Sequence, residues 1–332
     1  MSTEPSAPKT RTWTRHLPTL IGVILLGGAI FVVQKEFRHL KWHDIKEALA
    51  TIPPSALVIS FIWTVLSYYI LTFYDRLGTI YAGNKVSYGR VCFASFCAYT
   101  LSHNLGLAAV SGAAVRYRLY SQWGMTPLQI GKLVAFCSFT FGLGALVLGG
   151  AVLFILPADV VPFFGPYMPQ FGLWAIAAVL WAIVLAYVTL SQIVRPFQVF
   201  GHMVELPGWR MALMQVFLAT IDVAVTATIF HALLPANIEL DWVVFLAVYL
   251  IAYTGGLAAN LPGGIGVFDT AMLIGLQPYV DAPHIIAAIV VFRLYYYIIP
   301  LFIAGPLFSG NELLHRGGSM MRALGRRFGK QP

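Results

Sequence analysis

From Leu128 to Leu156 the chain runs for 29 residues with a single charge, Lys132. A helix of that length rises ~43 Å at ~1.5 Å per residue, more than the ~30 Å hydrocarbon thickness of a bilayer. Lipid tolerates such a segment because a helix satisfies its own backbone groups. Similar runs recur at Leu17–Val33, Ser55–Tyr74, Phe171–Ile193, Met211–Leu233, Trp242–Ala259 and Ile285–Phe308. Charged residues make up only 10% of the 332, against ~25% in soluble domains. The fold class that follows is an all-α integral membrane protein, a polytopic helical bundle.

The net charge of +8 does not describe a nucleic-acid face. Basic residues gather in the N-terminal tail (Lys9, Arg11, Arg15), in short loops, and in the C-terminal tail (Arg316, Arg322, Arg326, Arg327, Lys330). By the positive-inside rule both termini are cytoplasmic, with anionic lipid a secondary contact. The expected organisation is a cytoplasmic tail (1–16), one transmembrane domain (17–308) and a basic cytoplasmic tail (309–332). Leu17–Val33 reads as an uncleaved span, without a small-residue cleavage site, and Gln34–Ala50 as a helix lying in the interface. Cys92, Cys97 and Cys137 lie in apolar runs without metal-ligand spacing, so packing is their expected role. No metal or cofactor is expected.

Two stretches break the apolar pattern. Leu101–Trp123 interrupts a short span with Asn104, Gly106, Ser111 and Gly112 and ends in Arg116-Tyr117-Arg118. Asn260-Leu-Pro262-Gly263-Gly264-Ile-Gly266 is followed by a run of only ten residues, Val267–Leu276. Non-helical backbone at membrane depth must be buried in protein or line a watery cavity. Asn104 and Asn260 lie 156 positions apart, as do Ser55 and Met211; Leu128 and Ile285 lie 157 apart. The spacing predicts two repeats, about 55–156 and 211–308, each reading span, broken hairpin, span. Both ends of the first hairpin are basic (Arg76 to Arg90, Arg116 to Arg118) and those of the second are acidic (Glu239, Asp241, Asp281). The repeats are therefore expected to be inverted, with re-entrant hairpins entering from opposite faces. Paired, glycine- and proline-interrupted short segments mark transporter binding sites. The plainer alternative is two helices per hairpin, with glycines allowing close packing.

A charge at the bilayer centre costs ~2.5–3.5 kcal/mol on insertion scales, so Arg293, Asp222 and Asp269 stand out. In the functional reading Arg293 with Arg116 or Arg118 holds a lipid phosphate by bidentate hydrogen bonds, and Asp269 or Asp222 meets an ammonium group or takes up a proton. In the structural reading Arg293 pairs with Asp222 or Asp269 and fixes helix packing. His103 is a proton relay or a satisfied structural histidine. Asn104 and Asn260 are expected to cap backbone at the breaks.

The segments Ser111-Gly-Ala-Ala-Val-Arg116-Tyr-Arg118-Leu-Tyr120, Leu261-Pro-Gly-Gly-Ile-Gly-Val-Phe268 and Phe292-Arg-Leu-Tyr-Tyr-Tyr-Ile-Ile-Pro300 resemble the transmembrane domain of lysylphosphatidylglycerol synthase. That domain is the flippase half of the multiple peptide resistance factor, and the resemblance covers roughly residues 15–315. It implies a bacterial inner-membrane location and a phospholipid cargo, typically aminoacylated phosphatidylglycerol. Asp269 stands where the family often has Glu. The chain ends at Pro332 without the soluble aminoacyl-transfer domain, so it is not expected to be an enzyme. A separate lipid-modifying enzyme is the additional partner this implies. Two other functions use the same residues: a proton-coupled carrier for a small solute, and a non-catalytic scaffold for such an enzyme.

Overall fold

The computed structural model describes residues 50–105, 108–161, 163, 167–193, 197–199, 202–204, 206–259 and 262–328. The expected tail 1–16, the first span and most of the interfacial helix lie outside them, as do Gly106 and Asn260.

In chain order the helices are α1 (Pro54–Tyr81), α2 (Tyr88–Leu105), α3 (Ala108–Gln122), α4 (Pro127–Ile155), α5 (Gln170–Ile193), α6 (Trp209–His231) and α7 (Trp242–Ala258). After a 3₁₀ turn at Pro262–Gly264 come α8 (Val267–Leu276), α9 (Ala282–Arg293), a π turn (Leu294–Ile298) and α10 (Ile299–Phe328). Among the described residues five helical segments are long and apolar enough to cross a membrane. The protein is an all-α membrane bundle. Between α5 and α6, where a plain loop was expected, lies a short antiparallel ribbon, β1 (Phe197–Val199) against β2 (His202–Val204).

Starts follow local chemistry. Pro53-Pro54 opens α1, with proline placed where a helix's first N–H groups lack partners anyway. Thr126 and Gln129 form a reciprocal capping box on α4. The outer face of α5 leaves Phe171, Val179, Leu185 and Ile193 exposed, as a lipid-facing surface does. Small residues bring helices close: a Cβ on Gly144 of α4 would collide with the Ala219 carbonyl of α6.

Two expectations are corrected. The span expected over Ser55–Tyr74 does not stop at the first charge: α1 continues to Tyr81 and α2 starts at Tyr88, so Asp75 lies inside a helix, fully buried. Hydropathy ends a span at its first charge, but here the charge finds a partner within the bundle. Ser111 and Gly112 are not part of the first break but sit within α3. Gly112 is small because α2 crosses there: an added Cβ would meet the Ser102 Cβ at 3.3 Å and the Arg116 Nη1 at 3.0 Å. The expected last span, Ile285–Phe308, lies within the segment Ala282–Leu313 that is long and apolar enough to cross a membrane, and is built of α9, the π turn and the start of α10. The helix also continues to Phe328, through most of the expected tail.

The π turn has a local cause. Pro300 has no N–H to give the Tyr296 carbonyl, and its ring crowds that group. An i→i+5 turn absorbs the misfit, closed by Ile299 N–H donating to the Leu294 carbonyl. The Tyr296 carbonyl accepts from Tyr68 Oη at 2.9 Å, and the Tyr297 carbonyl accepts from Asn104 Nδ2 at 3.2 Å.

Candidate functional site

The helix α2 is described to Leu105 and α3 from Ala108. Asn104, near the end of α2, donates from Nδ2 to the Thr100 carbonyl at 2.8 Å as well as to Tyr297. It therefore fastens this part of α2 to the π turn of the last span.

The second break is built from glycine. Gly263, Gly264 and Gly266 have φ of 58°, 63° and 82°, the left-handed region that residues bearing a Cβ avoid. Gly264 also packs on Gly256 of α7, where an added Cβ would stand 3.2 Å from the Gly256 Cα. Asp269 then restarts the helix: its Oδ2 accepts from the Gly266 N–H at 2.9 Å. The same carboxylate receives Arg293 of α9, with Nη2 at 2.8 and 2.7 Å from its two oxygens and Nε at 3.2 Å from Oδ1. Arg293 lies beside Gly263, whose added Cβ would come 3.2 Å from Nη1. Two of the three charges singled out in the sequence thus form one bidentate pair that braces the second break.

The end of α2, α3 and the second break border one cavity of about 390 Å³. Ser102 and His103 reach it from α2 and Gly263 and Gly264 from the 3₁₀ turn. Its charged lining residues are Arg116 from α3 and Asp222 from α6. Tyr99, Tyr249, Tyr253, Tyr296 and Tyr297 give it an aromatic wall. The His103 ring stacks on Tyr296, with centroids 5.4 Å apart, and its Nδ1 is buried without a hydrogen-bond partner among the described residues.

Arg116 is 5% exposed. Its Nη2 lies 2.7 Å from Asp75 Oδ1 and its Nε 3.1 Å from Oδ2. Tyr120 Oη donates to Asp75 Oδ2 at 2.9 Å, and the Arg116 guanidinium stands 4.5 Å from the Tyr99 ring centre. Asp75, not singled out in the sequence, is thus the group that sets Arg116 in place. A charge just past an apolar run, 41 positions before an arginine on the next hairpin, was the one available signal.

Asp222 is held differently. Ser67 Oγ donates to Oδ1 at 3.3 Å and Tyr74 Oη to Oδ2 at 3.1 Å. Among the described residues no cation lies within ion-pair distance of it, and Arg293 pairs with Asp269 instead. Arg118 is not among the cavity's lining residues. It makes a bidentate pair with Glu312 of α10 at 2.7 and 2.6 Å.

The family described as lysylphosphatidylglycerol synthase TM region matches residues 19–304. The chain belongs to this family. An uncharacterised protein of Synechocystis is 31% identical over 301 residues, covering 90% of this chain and 93% of that protein. The inner membrane protein YbhN of Escherichia coli is 27% identical over 303 residues, 90% of each. Phosphatidylglycerol lysyltransferase of Staphylococcus aureus is 24% identical over 284 residues, 83% of this chain but 32% of that enzyme. The lysylphosphatidylglycerol synthase transmembrane region thus makes up nearly all of this 332-residue sequence, and the cavity lies between its helices.

Proposed function

We propose that this protein moves a phospholipid between the leaflets of a bacterial inner membrane, with the headgroup passing through the cavity between the two breaks. One observation carries the reading: an arginine, a carboxylate and both interrupted segments converge on a single hollow inside a membrane bundle. Charges are expensive at that depth, and a lipid headgroup is a cargo that repays them. Arg116 is the phosphate contact. Its Nε and Nη2 are committed to Asp75, and Nη1, beside Gly112 and Ser102, is the edge offered to a phosphate oxygen. Arg293 and Asp269 hold the second break in shape. Arg118 ties α3 to α10 and contacts headgroups only at the rim.

The volume suits a headgroup rather than a whole lipid, so the acyl chains stay in the bilayer. Aminoacylated phosphatidylglycerol, with a phosphodiester and an ammonium, is one cargo that matches both charges. No bond is made or broken in this reading; lipid modification belongs to a separate enzyme. We further infer that the hairpins α2–α3 and α7–α8 are re-entrant and inverted, since α8 spans only ~15 Å at its ten residues. Both termini are then cytoplasmic.

The test is a leaflet-resolved assay in vesicles carrying acyl-labelled phospholipid and an impermeant quencher. The wild type should expose inner-leaflet label faster than empty vesicles. Ser138→Trp, which inserts an indole into the cavity from α4, should slow it. Equal rates for wild type and empty vesicles overturn the reading.

A further inference from the structure

We infer that the cavity exchanges its cargo against a proton carried by Asp222; the inference rests on the translocation reading above. A carboxylate removed from water must be neutralised or paired. Arg116 is already matched by Asp75, and Arg293 by Asp269. Asp222 has two hydroxyl donors and no cation among the described residues, and one side of it borders the cavity. Hydroxyl donors alone do not offset a full buried charge. The empty cavity therefore holds Asp222 as the neutral acid.

Among the described residues the neighbours leave no other resident partner. From α1 come Ser67 and Tyr74, from α4 Cys137, and from α7 Tyr249 and Tyr253. The α5 group facing α6 is Tyr187, which donates to Gln215, and the α9 group is Arg293, held by Asp269. Across the cavity stand Tyr99, His103, Arg116, Tyr296 and Tyr297. The tyrosine faces stabilise a cation without neutralising the carboxylate. When an ammonium-bearing headgroup enters, Asp222 ionises and its proton passes to water on the side to which the cavity is open. When the cation leaves on the other side, Asp222 takes up a proton there. One ammonium crosses for each proton crossing in reverse; with a zwitterionic headgroup the phosphate crosses too, so each cycle moves one net positive charge in the direction of the proton.

The test uses the full chain in vesicles with a pH step across the membrane. The probes are acyl-labelled phosphatidylethanolamine, which carries an ammonium, and acyl-labelled phosphatidylglycerol, which does not. The wild type should accumulate labelled phosphatidylethanolamine in the leaflet facing the acidic compartment, and reversing the gradient should reverse the leaflet. Collapsing the gradient with a proton-exchanging ionophore should abolish the asymmetry, and labelled phosphatidylglycerol should show none. Asp222→Asn should lose the asymmetry, whereas Tyr187→Phe, outside the cavity, should keep it. If Asp222→Asn does not fold, the gradient reversal in the wild type still decides. Lipid movement indifferent to the gradient overturns the exchange and leaves translocation standing. Movement no faster than in empty vesicles overturns both. Loss of the asymmetry in His103→Gln while Asp222→Asn retains it assigns the proton to the histidine and overturns the proposal.

Discussion

Arg116 and Arg118 sit two positions apart on α3, yet their surroundings differ. Arg116 is buried against Asp75 and lines the cavity, while Arg118 meets Glu312 with both side chains 12–13% exposed. Removing one member of a buried pair leaves an uncompensated charge, at a cost of ~3–5 kcal/mol. Asp75→Asn should therefore lower unfolding stability in detergent by about that amount. A double replacement, Asp75→Leu with Arg116→Leu, should fall well short of the sum of the two single losses while abolishing translocation. An additive loss in the double variant removes the pairing argument. Arg118→Gln should cost less than Asp75→Asn, since the Arg118–Glu312 pair is the more exposed of the two. Arg293 and Asp269 stood out in the sequence because charges are rare in apolar runs. Asp75 did not, because its significance depends on a helix crossing that no local window contains.

At the scale of elements, the breaks are specified by chemistry of different visibility. The second was legible: Pro262, Gly263, Gly264 and Gly266 mark it, and α8 was expected over the ten residues it occupies. Gly266→Ala puts a Cβ on a backbone with φ of 82° and should cost ~1 kcal/mol or more, with lower melting temperature and slower transport. Unchanged stability and rate would remove strain relief as the reason for that glycine. The first break was drawn too long, since Ser111 and Gly112 look like turn residues and in fact serve a close crossing. The π turn was invisible too, because the clue, Pro300, follows it and reads equally as a simple kink. Asn104→Ala removes the donor to the Tyr297 carbonyl and should destabilise by ~1 kcal/mol, with hydrogen exchange at 294–302 rising more than at α6. Uniform exchange across both segments counts against the link.

At the scale of the molecule, among the described residues α5 stands between α1–α4 and α6–α10, and its outer face is exposed along its length. Hydropathy gave the five long segments because lipid selects for little else on their outer faces. It gave nothing on how these segments meet, since the cavity's walls come from residues more than 150 positions apart, such as Ser102 and Gly263. If the hairpins enter from opposite sides, single cysteines at Trp123 and Gln277 should label from opposite faces of intact inverted and right-side-out vesicles, Trp123 from the cytoplasmic one. Labelling of both from one face excludes the inverted arrangement.

The π turn also sets the rotational phase of everything after it. One extra residue in a helical turn rotates the downstream helix by ~100° about its axis. Glu312 faces Arg118 only with that offset in place, so the ion pair depends on a local winding more than a dozen residues upstream. Deleting a single residue between Leu294 and Ile298 together with Pro300→Ala would let the helix wind evenly, and the glutamate would swing away from its arginine. The last helix is keyed, as a shaft is keyed to a gear, and the key is the tyrosine turn beside the cavity.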